Sequence, residues 1–159
     1  HCLQSGNQNL FYYRKTLGQT FWSWNYRKLV LQTYESLLKV TQDDLDELNH
    51  VNNVRYVQWV QEIAKNHWTA ATTHKIRETY FWIMLSHLIE YKHPALLNDV
   101  IKLKTYVTKA EGVTSVRVVE ITNNNTNKLL AKSETTWCFM NSNTMKPNRL
   151  PEGISKIFQ

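Results

Sequence analysis

The sequence predicts an α+β domain in which one long central helix is wrapped by a curved antiparallel sheet of five to six strands. Three observations carry that expectation. One segment has the apolar spacing of a helix, one strand-like segment precedes it, and four strand-like segments follow it. The later strands are separated by short turn signals, which predicts antiparallel neighbours. A single helix cannot cover both faces of such a sheet, but one strongly curved sheet can enclose it.

The elements follow in order. LVLQTYESLLKV, residues 29–40, is rich in β-branched and aromatic residues and predicts the first strand. The polar decapeptide DLDELNHVNN (44–53) comes next. In VRYVQWVQEIAKNHWTAA, the residues Val54, Val57, Val60, Ala64, Trp68 and Ala71 recur at three- and four-residue steps, a helical stripe. Asn52 or Asn53 stands where an N-cap belongs, its side-chain oxygen able to accept a first-turn N–H. THKIRE then reads as a polar connector. Strands are predicted over 79–92 (ended by His93-Pro94), 99–110, 113–122 and 128–141. Turns fall at Glu111-Gly112 and at the NNNTN run, 123–127. Ile101, Leu103, Thr105 and Val107 alternate with Lys102, Lys104 and Tyr106, as one buried face requires. One strand, one long helix and four strands is the order of a hotdog fold. The exposed outer face and open edge of its sheet favour a second copy, so a homodimer or dimer of dimers is expected.

The totals exclude several classes. A chain of 159 residues, 42% hydrophobic and 20% charged, suits one globular domain. We divide it into an aromatic-rich N-terminal extension, 1–28, and a single domain, 29–159. The extension has no long apolar core and no small-residue cleavage site, so no secretory signal is read there. Nothing approaches the ~18 consecutive apolar residues of a membrane span. Cys2 and Cys138 build neither a disulfide framework nor a zinc site, which fits a cytoplasmic setting. The net charge of +6 is scattered rather than striped, which argues for an anionic small molecule over nucleic acid. His67, His74, His87 and His93 share no metal-ligand spacing, so neither metal nor cofactor is expected. There is no G-x-S-x-G elbow and no glycine-rich phosphate loop among only four glycines.

The decapeptide carries the chemistry. Asp44, Asp46 and Glu47 lie within four residues of one another, and His50 follows Asp46 by four. A helix starting near residue 52 would bring its unsatisfied N–H groups and positive dipole end beside them. Such donors hold a developing oxyanion, and a nearby carboxylate can attack a carbonyl or activate water. The pattern suits hydrolysis of an ester or thioester. Spacing alone does not decide this, because Asp and Asn also precede helices simply to cap them.

The run Asp44, Asp46, Asn49, His50, Val51, Asn52, Asn53, Tyr56 and Trp59, with Glu62 one turn further, resembles the signature of hotdog thioesterases of the 4-hydroxybenzoyl-CoA thioesterase type. It is also similar to the second hotdog repeat of plant acyl-ACP thioesterases. The resemblance continues through IEYKHPALLNDVIKLKTYV, TTWCFMN and MKPNRLPEGISKIF, covering about residues 31–158. It implies that Asp46 is nucleophile or general base, that N–H groups around Asn52 and Asn53 polarise the carbonyl, and that His50 orients water or the carboxylate. Asn52, Tyr56, Trp59 and Glu62 are the expected substrate-binding residues; Tyr56 and Trp59 suit packing or a tunnel wall. The chain departs from the plant pattern at Leu48, where those enzymes have Asn, and at Pro94 and Ala95, where they place an acid or Cys. A simpler scheme of one Asp and one helix end is therefore expected. The expected activity is hydrolysis of acyl-CoA or acyl-ACP. The alternatives are a non-catalytic thioester-binding protein and a hotdog dehydratase, whose own His-containing loop signature is not found.

Overall fold

A computed structural model describes residues 32–158; the extension and residues 29–31 of the expected first strand lie outside the described residues. The elements are β1 (Tyr34–Lys39), α1 (Asn53–Ala71), α2 (His74–Thr79), β2 (Tyr80–Tyr91), β3 (Val100–Glu111), β4 (Thr114–Asn123), β5 (Leu129–Asn141), β6 (Lys146–Pro147) and α3 (Glu152–Ser155). Short 3₁₀ turns occupy Gln42–Asp44 and Lys156–Phe158. All strand pairs are antiparallel, in the order β1-β3-β4-β5-β2, with β6 added to β5. The strand boundaries follow the alternation and the turn residues. Gly112, at φ 63, supplies the left-handed conformation that the tight β3–β4 turn needs.

Register shifts interrupt β2 between Met84 and Ser86, and β3 between Val107 and Lys109. Each extra residue bends its strand and adds twist, so the sheet curls around α1. Inside the curl, Tyr56, Trp59, Val60 and Ile63 of α1 pack on Ile101, Leu103, Val119, Ile121 and Ala131. A second cluster, around Val107, Phe139, Ile154 and Phe158, fills the other end with help from Trp68 and Trp82.

Three expectations are corrected. First, β2 and β3 are not neighbours: β2 pairs with β5 at one edge, and β3 pairs with β1 towards the other. His93-Pro94 cannot make a two-residue hairpin. The link instead anchors at Ala95, whose C=O accepts the Val51 N–H (3.0 Å) and whose N–H donates to the Tyr56 hydroxyl (3.0 Å). Second, the buried face of α1 keeps Val60 and Ala64 of the expected stripe, with Trp68 and Ala71 packed on the core, but turns away from it in the first turns. Val54 is 60% exposed, while Tyr56, Trp59, Val60, Ile63, Ala64 and His67 are buried. The aromatic rings at 56 and 59 have more apolar area to hide than the valines, and they win the inward positions. Third, the THKIRE connector holds helix α2, capped by the Thr73 side chain, which accepts the Ile76 N–H at 3.4 Å. The Arg77 guanidinium of α2 closes the end of α1, donating to the carbonyls of Thr69 (3.0 Å) and Thr72.

Candidate active site

The segment before α1 is a closed loop. Leu45 and Val51 form an isolated antiparallel bridge across it. Inside, the Asp46 N–H donates to the His50 carbonyl (2.7 Å), and the Asn49 N–H donates to the Asp46 carbonyl (3.1 Å). Asn49 takes φ 58, a conformation its short polar side chain tolerates. Asp46 Oδ1 accepts the N–H groups of Leu48 (2.9 Å) and His50 (3.0 Å). One carboxylate oxygen therefore holds the loop together. The other, Oδ2, accepts nothing among the described residues.

Asp44 has a different task. It is buried, and it accepts the Thr41 N–H (2.7 Å), the Thr41 hydroxyl (2.9 Å) and Arg55 Nε (2.6 Å). Burial opposes its ionisation, but the Thr41 hydrogen bonds and the Arg55 guanidinium outweigh it, so its pKa lies below the usual carboxylate value. Its carbonyl also accepts the Asn52 N–H at 2.8 Å. Asp44 thus ties the strand end, the 3₁₀ turn and the helix start into one frame.

That frame fixes which helix N–H groups stay open. Asn52 is the N-cap: its side-chain oxygen accepts the Val54 N–H (2.9 Å) and its carbonyl accepts the Arg55 N–H (2.9 Å). With the Asn52 N–H held by Asp44, only the Asn53 N–H at this helix start has no acceptor among the described residues. Capping has consumed the neighbouring donors and left one.

A pocket of about 230 Å³ collects Asp46, His50, Val51, Asn53 and Tyr56 with Tyr91, Lys92, His93 and Pro94. Tyr56 stands at the pocket edge with its hydroxyl on Ala95, and burial raises its pKa. Tyr91 packs edge-on against Tyr56, ring centroids 5.4 Å apart. The structure therefore brings together Asp46, His50, Asn53 and Tyr56. It places Trp59 in the core, Glu62 on the exposed side of α1, and the polar groups of Asn52 in the cap. Tyr91 to Pro94 were not anticipated as site residues. Their signal was the His-Pro break at the strand end, which forces a link rather than a hairpin. Among the described residues no cluster of acidic, His or Cys side chains could hold a metal, and no helix is long and apolar enough to cross a membrane.

A curved antiparallel sheet wrapped on one helix, with a polar site at the helix start, defines a hotdog-fold protein of the thioesterase type. The family model described as the thioesterase-like superfamily matches residues 40–158, and the chain belongs to that superfamily. No curated protein matches it in sequence. Among solved structures it is similar to YbaW, a probable thioesterase from Escherichia coli, at 20% identity and TM-score 0.70, over 77% of this chain and 94% of that one. Slr0204, a 1,4-dihydroxy-2-naphthoyl-CoA thioesterase from Synechocystis, is similar at 18% identity and TM-score 0.70, over 80% and 96%. A 4-hydroxybenzoyl-CoA thioesterase variant bound to 4-hydroxybenzoyl-CoA is similar at 11% identity and TM-score 0.72, over 80% and 99%. At these identities the likeness is one of fold. Thioester hydrolysis is the general activity that membership of the superfamily supports.

Proposed function

We propose that the protein hydrolyses acyl-CoA, or acyl-ACP, to a free acid and a thiol, using Asp46 and the start of α1. One observation carries this reading. The open carboxylate oxygen of Asp46 and the open N–H of Asn53 belong to residues lining one pocket. The Asn53 N–H polarises the thioester carbonyl and holds the oxyanion as it forms. Asp46 either attacks the carbonyl carbon itself or takes a proton from an attacking water. Collapse of the intermediate breaks the C–S bond, the sulfur leaves as a thiol, and water supplies the acid oxygen. His50 orients the water or the carboxylate.

Coenzyme A is favoured as the carrier thiol because two of the similar structures are CoA thioesterases; the +6 charge serves either carrier. The working unit is read as a homodimer or dimer of dimers. The outer edge of β2 has no partner strand among the described residues, and Ile83, Leu85 and Leu88 are exposed at 42%, 59% and 65%. β2 ends in Tyr91, beside the pocket, so a second copy docked on it would roof the site.

Asp46→Asn tests the reading. The amide keeps an oxygen for the Leu48 and His50 N–H groups, so the loop should stand. Thiol release from octanoyl-CoA should fall by roughly 10²–10⁴-fold with the melting temperature unchanged. Undiminished turnover in the folded variant would reject Asp46 as the acting group.

A further inference from the structure

A second cavity lies at the other end of α1, eleven residues past Asn53 at Ala64, or about 16 Å along the helix. It measures about 220 Å³ and its walls include Trp68, Phe81, Trp82, Trp137 and Phe158. Arg117 of β4 contributes to the same wall and is only 6% exposed. Among the described residues no acidic side chain lines the cavity.

The electrostatics of Arg117 are incomplete. Its Nη1 donates to His67 Nδ1 (3.0 Å) and to the Thr105 hydroxyl (3.0 Å), which uses both protons on that nitrogen. The Nε–H and the two Nη2–H groups find no acceptor among the described residues. They are not sealed away either, since no fully enclosed side-chain nitrogen or oxygen there lacks a partner. None of the ion pairs among the described residues includes Arg117. Residues 1–31 contain neither Asp nor Glu and residue 159 is a glutamine, so no side-chain carboxylate outside the described residues can complete it. Burial lowers the guanidinium pKa only to about 10, and it remains a cation at neutral pH. His67 cannot compensate: an arginine always donates, so Nδ1 accepts and the ring is neutral. Phe158 lies 5.8 Å from the guanidinium carbon and offers a ring face, not a charge.

A buried cation is expensive when it has no counter-ion, and Arg117 has none among the described residues, whereas a structural arginine has its donors filled. The donors left over matter by their geometry. Nε–H and one Nη2–H form a parallel pair on one edge of the guanidinium plane, the fork that grips a carboxylate through both oxygens. The cavity that Arg117 lines is walled mainly by aromatic rings, with Lys65 and Arg77 as further cations, and its volume is small. At ~30 Å³ per water it equals about seven waters, room for a molecule of roughly ten heavy atoms.

We propose that this cavity binds the carboxylate of a small apolar organic acid, with the carboxylate on the Nε/Nη2 edge of Arg117 and the apolar body among Trp68, Trp82, Trp137 and Phe158. The site is separate from the hydrolytic pocket, and its test does not depend on hydrolysis. Octanoate, with ten heavy atoms, is the probe, and octanamide is its neutral control. Calorimetry, supported by fluorescence of the tryptophans in the wall, should show octanoate bound at least about tenfold more tightly than octanamide. Arg117→Met should remove that preference. Measurable binding of acid and amide with equal affinity, or an unchanged preference in folded Arg117→Met, overturns the proposal. If Arg117→Met does not fold, the acid-to-amide comparison in the wild type decides alone. Suberyl-CoA distinguishes the source of the carboxylate. Octanoate binding assigns the cavity to a free acid. Arg117-dependent binding of suberyl-CoA without octanoate assigns it to the far carboxylate of an acyl chain, and failure of both acids to bind overturns it.

Discussion

The two ends of α1 solve opposite problems. At the start, one half-buried ion pair, Asp44–Arg55, and a ring of backbone hydrogen bonds satisfy nearly everything, and the cap leaves a single N–H open among the described residues. At the far end a buried arginine has a neutral histidine and a hydroxyl for company, and one edge of its guanidinium is unused among the described residues. The start is polar and shaped by backbone; the far end is aromatic and shaped by side chains. The lesson is that function is read from what local structure leaves unsatisfied. Asp44 carries the same carboxyl group as Asp46 and is more buried, yet its oxygens are filled and it is scaffold.

The sharpest way to break this contrast is to remove the open N–H itself. Proline is well tolerated at the first helical position, where the lost N–H had no intrahelical partner. Asn52, at φ −59 and ψ 136, already has the extended conformation required before a proline. Asn53→Pro should therefore fold and lose roughly 10²–10³-fold in thioester hydrolysis, the effect of deleting one oxyanion donor. Asn53→Ala, which keeps the N–H, should retain most of the activity. Equal rates for the two variants would remove the backbone donor from the mechanism.

A smaller effect, in stability, should separate Asp44 from Asp46. Asp44→Ala strands the Thr41 N–H and leaves Arg55 without its partner, although Arg55, 36% exposed, can turn to water. The expected cost is about 2 kcal/mol, or roughly 5–10 °C in melting temperature. Asp46→Asn should leave the melting temperature alone while turnover collapses. A reversal of these two outcomes would exchange the roles assigned to the two acids.

The sequence made the local features legible and the tertiary ones less so. Strand ends were readable because alternation and turn residues such as Gly112 act within a few positions. The edge placement of β2 was not, because it depends on where the His93-Pro94 link anchors, and that anchor is Ala95 on the helix start. Helix α2 is too short to show a period. In the site, Asp46, His50 and Asn53 share one short stretch and could be named together. Tyr91 to Pro94 reach the pocket only through the sheet. Arg117 left a trace that was missed: it lies in phase with Val119 and Ile121 on the inward face of β4, a charge at a core position.

The finest comparison concerns pH and belongs to the far end. His67 is buried, stacked on Tyr34 and hydrogen-bonded to Arg117. Desolvation, and then the Arg117 charge, lower its pKa from 6.5 to about 4. In the unfolded chain the ring titrates normally, so between pH 6.5 and 4 the unfolded state binds more protons. Stability therefore falls as pH drops through that window, and His67 accounts for about 1 kcal/mol between pH 7 and 5.5. Asp44 acts lower, because its depressed pKa gives stability that is lost only as pH falls through the carboxylate range. His87, whose pKa is also lowered by burial, contributes in the same window as His67 and remains in the variant. Denaturant unfolding of His67→Gln at pH 7 and pH 5.5 should thus show a smaller pH dependence than the wild type. An unchanged difference would mean that the ring takes up its proton over the same pH range in the fold as in the unfolded chain, and a larger one that it is charged in the fold, with Arg117 held by something other than a neutral histidine.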